Sequence, residues 1–248
     1  MIKVENIKKY FGDNKVLKGI SAEFEPGVTS LIIGGSGSGK TTLLKCMVGL
    51  HQPDDGRVLY NDRNFTEMNT KERIPIRQEI GMLFQNSALF DSMTVEQNLM
   101  FPLDMFTEQS RSEKRDRANE VLKRVNLEGK NDVFPAELSG GMKKRVGIAR
   151  AIVMNPKYLF CDEPNSGLDP RTSLVIDELI KEITEEYNIT TIIVTHDMNS
   201  VMGIGEKIIF LHQGQKWWEG SNSEITKTDN QELNDFVFAS PLLERLLK

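Results

Sequence analysis

Short apolar runs alternate with amphipathic stretches along much of the 248-residue chain. Uninterrupted apolar runs at residues 28–33, 158–161 and 190–195 predict strands that are buried on both faces. A glycine-rich loop and a stretch with helical spacing follow the first run, and another helical stretch lies between the second and third runs. Strands that alternate with helices predict an α/β fold with a mainly parallel sheet.

Three regions depart from this alternation. Short strand-like runs at residues 2–7, 16–24 and 58–60 are separated by turn signals and predict an antiparallel β flank. Residues 87–155 carry long polar helical patterns without a convincing strand, which predicts an inserted α-helical subdomain. Apolar residues on either side of Gly214 predict a late hairpin.

Composition and charge narrow the class of protein. Apolar residues make up 39% of the chain and charged residues 27%, which is ordinary for a folded protein. The net charge of −5 argues against a general nucleic-acid surface, so no nucleic-acid partner is expected.

No apolar run approaches the roughly 20 residues of a membrane-spanning helix, and the first residues do not resemble a signal peptide. We therefore expect a cytoplasmic protein with Cys46 and Cys161 as buried, reduced thiols.

The glycine-rich loop after the first buried run has the P-loop pattern of glycine, four residues, glycine, lysine and threonine. Its glycines let successive N–H groups converge on phosphate, the lysine supplies charge, and the threonine hydroxyl can bind Mg²⁺. A turn without chemical consequence is the alternative, and the flanking strand and helix disfavour it. The predicted nucleotide-binding residues are Gly34, Gly35, Ser36, Gly37, Ser38, Gly39, Lys40, Thr41 and Thr42.

Two adjacent carboxylates end the second buried run. Asp162 is predicted to hold Mg²⁺, and Glu163 to orient and polarise the attacking water. About two dozen positions earlier, Ser139, Gly140 and Gly141 open a helical pattern and offer N–H groups, a hydroxyl and a helix dipole to an anion. One chain therefore carries two loops that can bind phosphate.

At these motifs the sequence resembles the ABC ATPase family, whose signature is Leu-Ser-Gly-Gly-Gln. The resemblance covers about residues 1–220, and residues 221–248 form a C-terminal extension. It implies a P-loop NTPase fold, hydrolysis of ATP with Mg²⁺, and a head-to-tail homodimer with ATP sandwiched between the protomers. In such a dimer, Ser139 and Gly141 of one protomer contact the γ-phosphate held by the other.

The same resemblance implies roles for isolated residues. Gln85 matches the glutamine that touches Mg²⁺ and relays the nucleotide state, and His196 matches the switch histidine that bonds the γ-phosphate. Asp169 lies in the loop that reaches across the dimer. Phe11 matches the aromatic that stacks on adenine, with Tyr10 as an alternate and a core position as a second interpretation. The implied catalytic residues are Lys40, Gln85, Glu163 and His196, and the implied metal ligands are Thr41, Gln85 and Asp162.

Two residues depart from the family pattern. Met142 replaces the usual signature glutamine and removes a polar side chain, and Gly35 replaces a frequent proline. Neither change affects the main-chain donors. The basic run at residues 143–145 is interpreted as a solvated helix face rather than a partner site.

Within the family, residues 82–95, 137–146 and 195–198 resemble phospholipid-transport ATPases of the Mla type, which work with lipid-binding MCE proteins. The implied location is peripheral, on the cytoplasmic face of the inner membrane beneath integral permease subunits. Transport of another substrate and a soluble, non-transport ABC ATPase are the alternatives. A nucleotide sensor without turnover is disfavoured because Glu163 and His196 are both present.

Two apolar groups allow more than one interpretation. The first either lines a groove for the permease or packs in the core, and it comprises Ala88, Leu89, Phe90 and Met93. The second belongs to the C-terminal extension and needs cover from its own domain, the other protomer or a companion protein. Its members are Phe236, Val237, Phe238, Leu242, Leu243, Leu246 and Leu247.

Overall fold

The computed structural model describes residues 1–238. The strands are β1 (Ile2–Phe11), β2 (Asn14–Phe24), β3 (Thr29–Ile33), β4 (Asp55–Tyr60), β5 (Arg63–Asn64), β6 (Ile80–Leu83), β7 (Tyr158–Asp162), β8 (Thr190–Val194), β9 (Lys207–His212) and β10 (Gln215–Gly220). The helices are α1 (Lys40–Met47), α2 (Ile74–Gln78), α3 (Val95–Phe106), α4 (Arg111–Arg124), α5 (Gly140–Ile152), α6 (Pro170–Glu186), α7 (Met198–Ile204) and α8 (Gln231–Val237).

A six-stranded sheet forms the centre of the fold, in the order β10-β9-β3-β8-β7-β6. Its strands are parallel except for the antiparallel β9–β10 pair, which is the predicted late hairpin. Successive side chains of β3 point into different cores, Leu31 and Ile33 into one and Ile32 into the other. This sheet is covered on both faces, which explains why its strands are uninterrupted apolar runs.

The antiparallel flank is a separate four-stranded sheet in the order β2-β1-β4-β5. Its apolar face shares the second core with α1 and with β7. There the Tyr60 ring meets that of Tyr158 edge to face, with the centroids 4.7 Å apart. The buried Tyr60 hydroxyl donates a hydrogen bond to the Met47 carbonyl at 2.9 Å, so its polar end is satisfied. The predicted α/β fold with an antiparallel flank is confirmed.

Between β6 and β7 the chain forms α3, α4 and α5, and no strand occurs there. The N-caps of α3 and α4 are Thr94 and Ser110, each in a capping box that satisfies main-chain donors of the first turn. Their buried faces pack with α5 in the first core. The boundaries 87–155 for a helical subdomain stay a prediction.

The C-terminal extension begins by packing on its own domain. Leu233 and Val237 of α8 are buried in the first core, and the Phe236 ring lies 5.5 Å from that of Phe210. Leu242, Leu243, Leu246 and Leu247 lie outside the described residues. Within residues 1–238, none of the helices combines the length and the apolar character needed to cross a bilayer.

Candidate nucleotide site

The phosphate loop runs from the end of β3 to the start of α1 and is shaped by glycines at two close approaches. Gly34 has φ 146°, and a Cβ there would lie 2.2 Å from the Leu211 carbonyl oxygen. Gly39, the N-cap of α1, has φ 103°, and a Cβ would lie 2.7 Å from Leu17 Cδ2. Both positions exclude a larger residue, so the loop is held tightly against β2 and β9.

Lys40 is buried within this loop rather than extended into solvent. Its Nζ donates hydrogen bonds to the carbonyl oxygens of Gly34 at 2.8 Å and Gly35 at 3.0 Å. Burial lowers the pKa of Lys40, and the nearby carboxylates of Glu163 and Asp162 partly oppose that change. The ammonium is therefore oriented at the position where a phosphate would need it.

Thr41 and Asp162 meet beside the loop, with the Thr41 hydroxyl donating to Asp162 Oδ1 at 3.2 Å. Burial raises the pKa of Asp162, while the Thr41 hydrogen bond lowers it. A hydroxyl and a carboxylate next to a phosphate loop are donors that suit Mg²⁺, which takes its other oxygens from phosphates and water. Within residues 1–238 no cluster of three or more His, Cys, Asp or Glu could hold a metal by itself. The site thus fits Mg²⁺ that arrives with a nucleotide.

Glu163 and His196 form a pair at the ends of β7 and β8. Glu163 Oε1 lies 2.9 Å from His196 Nδ1. The Glu163 main chain has φ 50°, and its N–H donates to the Val194 carbonyl at 2.8 Å. A left-handed conformation is costly for a residue other than glycine and persists only where neighbours fix it. The carboxylate is therefore well placed to orient a water and accept its proton.

These groups surround one cavity of about 830 Å³. It is lined by Asn14, Val16, Gly34, Gly35, Ser36, Gly37, Gly39, Lys40, Thr41, Thr42, Gln85, Glu163, His196, Met198, Phe236 and Val237. Sequence reasoning did not predict Asn14, Val16 and Met198 as lining residues, although Val16 lies in a predicted strand and Met198 in the motif at residues 195–198. It noted Phe236 and Val237 as apolar, but no local signal placed α8 beside the phosphate loop.

Three residues predicted for this site do not line the cavity. Ser38 is buried inside the loop, and Asp162 reaches the cavity through Thr41. Phe11 is 47% exposed, and its ring contacts that of His51 at a centroid distance of 5.4 Å. The alternative interpretation of Phe11 as a core aromatic is therefore wrong, because it ends β1 at the surface.

The signature residues lie outside the lining of their own chain's cavity. Ser139 and Gly140 are exposed, and the Ser139 hydroxyl caps α5 by accepting from the Met142 N–H at 3.3 Å. Gly141 approaches α6 so closely that a Cβ would lie 2.6 Å from Thr172 Cγ2. Met142 packs partly buried against the first core, which accounts for an apolar side chain at this position.

Two other predicted residues make contacts around the same region. Asp169 caps α6, accepting hydrogen bonds from the Arg171 and Thr172 N–H groups. It does not line the cavity of its own chain. The amide of Gln85, which does line it, donates to the Ser166 hydroxyl at 3.3 Å.

The interpretation of residues 143–145 as a solvated face is wrong for Lys144. That side chain is 5% exposed and donates to the Gln85 carbonyl and, at 3.2 Å, to the Glu163 carbonyl. Arg145 also bonds main chain, with Nη1 donating to the Asn126 carbonyl at 3.0 Å. Acceptors brought from elsewhere in the fold, not the charge pattern, decided where these side chains point.

Comparison with known proteins identifies the family. A family model described as ABC transporter matches residues 17–166. The chain belongs to the ABC transporter family. It is 38% identical to the methionine import ATP-binding protein MetN of Campylobacter jejuni, over 98% of this chain and 77% of the relative. It is 36% identical to the probable ribonucleotide transport ATP-binding protein mkl of Mycobacterium leprae, over 95% of this chain and 68% of the relative.

Solved ABC proteins have the same fold. The ATP-binding cassette MJ0796, in a dimeric post-hydrolysis state bound to ADP and Pi, matches with a TM-score of 0.82 and 34% identity, over 90% of this chain and 99% of that one. The protein cbiO1 of Clostridium perfringens matches with a TM-score of 0.84 and 32% identity, over 99% of this chain and 98% of that one.

This ABC protein is therefore an ATP-binding subunit of a transporter, and it hydrolyses ATP. The narrower resemblance to phospholipid-transport ATPases finds no support among the relatives described above. Their names refer to methionine import and ribonucleotide transport instead.

Proposed function

We propose that two copies of this chain form a head-to-tail dimer that binds two ATP molecules and drives a membrane permease. The observation that carries the proposal is the separation of the two phosphate loops. The loop at residues 34–41 lines a cavity formed by its own chain, beside Glu163 and His196, whereas Ser139 and Gly140 are exposed outside that cavity. A second copy would bring its exposed loop over the first copy's nucleotide. MJ0796, which has the same fold, has been solved as a dimer.

In this dimer the two chains would hold each nucleotide from opposite sides. Lys40 and the main chain of residues 34–41 would bind the β- and γ-phosphates of one ATP, with Phe11 against adenine. Ser139 and Gly141 of the partner copy would close over the γ-phosphate, and Asp169 would lie near the contact between the chains. Mg²⁺ bound by Thr41, Asp162 and Gln85 would neutralise developing charge on the phosphates.

The proposed reaction is direct transfer of the γ-phosphoryl group to water. Glu163 orients the water and accepts its proton as the oxygen attacks phosphorus. The bond from that phosphorus to the β-phosphate oxygen breaks, which leaves ADP and inorganic phosphate. His196, whose Nδ1 lies 2.9 Å from Glu163 Oε1, would bond the γ-phosphate.

An apolar groove near Gln85 supports contact with a permease. Phe84, Ala88 and Phe90 line it with residues of α3, and its volume is about 430 Å³. Phe90 is 40% exposed, whereas Leu89 packs partly buried against the first core. In this proposal Ala88 and Phe90 line the permease groove, whereas Leu89 packs in the core. A permease helix in this groove would hold the protein at the cytoplasmic face of the membrane.

For the cargo, import of methionine or a similar small solute has the broader support, because the MetN relative matches 98% of this chain. Phospholipid transport with an MCE-type partner is the second candidate, and the motifs at residues 82–95 favour it. The two can be separated by purifying the chain with its native permease and measuring ATPase stimulation. Methionine with its binding protein should stimulate in the first case, and phospholipid vesicles in the second.

The dimer and the assigned base are tested by Glu163→Gln. This variant keeps the side-chain shape but cannot accept the proton, so steady-state hydrolysis should fall by about 100-fold or more. Dimers that form with ATP should persist, as measured by size-exclusion chromatography with light scattering. Undiminished turnover would refute the assigned base, and a monomer at saturating ATP would refute the dimer.

A further inference from the structure

Helix α5 links the signature loop to the segment around Gln85. Its N-cap is the exposed signature residue Ser139, and one face of the helix carries Lys144, Gly147 and Arg150 at intervals of three. Residues at this spacing share one face of a helix. That face lies against the segment around Gln85, which lines the chain's own cavity.

Arg150 and Gly147 fix the far part of this segment. Arg150 donates from Nη2 to the Ser87 carbonyl at 2.6 Å and from Nη1 to the Ala88 carbonyl at 2.7 Å. Both acceptor residues have left-handed φ values, 60° and 47°. A Cβ on Gly147 would lie 2.7 Å from Leu83 Cδ1, so the helix packs directly on the chain. The conformation of residues 83–88 therefore depends on α5.

Lys144 differs from Gly147 and Arg150 because its ammonium contacts two separate segments that line the nucleotide cavity. It donates to the main-chain carbonyl of Gln85 and, at 3.2 Å, to that of Glu163. The side chain is 5% exposed, and burial lowers the pKa of Lys144. Burying an ammonium is costly, and these two carbonyl hydrogen bonds are what compensate it.

We propose that Lys144 is a positioning residue for ATP hydrolysis, which fixes the main chains of Gln85 and Glu163 relative to the signature helix. The inference rests on the proposed function. Because α5 starts at the loop that closes over the partner's ATP, movement of that loop would reach the chain's own Glu163 through Lys144. The phosphate loop makes no hydrogen bond to Lys144, so nucleotide affinity would depend little on it.

The first test compares substitutions of neighbouring lysines. Lys144→Met keeps the apolar stem and removes the donor, and we expect kcat to fall by about tenfold with KM for ATP within about threefold. Lys144→Gln retains an uncharged N–H donor and should recover part of the loss. Lys143→Met is the matched control, because it removes the same charge one position earlier, where the side chain is only half-buried. Thermal melting of each variant measures any loss of stability.

The second test places Lys144→Met on either side of a single active site. Mixed dimers are purified with two tags, so that one protomer carries Glu163→Gln and only the other can hydrolyse ATP. Lys144→Met in the hydrolysing protomer should lower the rate about tenfold, because it then lies in the chain of the working Glu163. In the Glu163→Gln protomer it should change the rate by less than about twofold.

Equal loss in both placements would overturn the inference, since Lys144 would then act through the signature loop. So would a lower melting temperature with kcat unchanged in the folded protein, or Lys144→Met activity equal to that of Lys143→Met. The homodimeric Glu163→Gln variant keeps the two proposals apart. If Glu163→Gln hydrolyses ATP at the wild-type rate, the assigned base of the proposed function fails. If its turnover falls by about 100-fold, a Lys144→Met variant with wild-type kcat refutes the positioning role alone.

Discussion

The two phosphate loops have similar chemistry and opposite surroundings. Each has glycines and serines at the start of a helix, α1 in one case and α5 in the other. Around the first loop lie Lys40, Glu163 and His196, within a cavity of about 830 Å³. Around the second, Ser139 is exposed, and its hydroxyl bonds the first turn of its own helix.

This difference indicates that the side chains around a helix N-terminus decide whether one chain alone can form an anion site there. The first loop has a buried ammonium and two carboxylates that its own chain supplies. The second offers donors that face solvent, which is the arrangement expected of half a site. Variants that alter one loop and leave the other unchanged test this difference.

The largest effect is expected at the phosphate loop of residues 34–41. Lys40→Ala removes the ammonium that bonds the Gly34 and Gly35 carbonyls, and it leaves the carboxylates of Glu163 and Asp162 with one positive charge fewer beside the phosphates. Affinity for a fluorescent ATP analogue should fall by about 100-fold or more, because charge-assisted contacts to phosphate are strong. Lys123→Ala, at an exposed position in the last turn of α4 outside the nucleotide cavity, is the control and should stay within about threefold. Equal affinities for Lys40→Ala and the wild type would show that this loop is not the nucleotide site.

A smaller effect is expected at the exposed loop. Ser139→Ala should lower kcat by about tenfold without changing nucleotide affinity of the monomer, because its hydroxyl would act on the partner's ATP. It also removes a helix cap, which costs about 1 kcal/mol of stability.

Ser110→Ala provides the matched control for that loss. The Ser110 hydroxyl accepts from the Glu113 N–H at the start of α4, as the Ser139 hydroxyl accepts from the Met142 N–H, and Ser110 does not line the nucleotide cavity. The melting temperatures of both variants should fall by similar amounts, but only Ser139→Ala should hydrolyse ATP more slowly. If the two variants have equal kcat, the second loop is merely a helix start.

The smallest effect is expected on the pH dependence of stability, at Asp177. Asp177 in α6 accepts a hydrogen bond from the Asn165 amide at 2.8 Å, which ties the segment after Glu163 to the helix beside Gly141. Burial raises the pKa of Asp177 to about 6 from 3.8. Protonated Asp177 therefore contributes its full stabilisation when the pH is below the pKa of the unfolded chain, 3.8. This contribution is lost as the pH rises through the folded-state pKa of about 6.

Asp177→Asn should remove this dependence while retaining an acceptor for Asn165. Wild-type stability relative to the variant should fall between pH 5 and pH 7, by on the order of 1 kcal/mol or roughly 2–4 °C in melting temperature. Differential scanning calorimetry at the two pH values measures the change. A constant difference between the two proteins would contradict a titrating Asp177.

The central strands were predictable because a strand covered on both faces leaves a continuous apolar run, as residues 158–161 and 190–195 do. The phosphate loop was predictable because its pattern is local. Lys144 was not, since its acceptors lie 59 and 19 residues away in sequence. The surface position of Phe11 and the packing of Phe236 beside the phosphate loop likewise depend on elements far along the chain.

The layers of the fold, the chemistry of both loops and the carboxylates at the end of β7 can be predicted from the amino-acid sequence. They follow from hydrophobic periodicity and from residue types at fixed spacing, which act within a few turns of chain. Tertiary packing places the loop at residues 34–41 against its own chain's cavity, leaves Ser139 exposed outside it, and buries Lys144 between Gln85 and Glu163. Burial and long-range hydrogen bonds arise when distant segments pack together, and no local pattern encodes which segments those are.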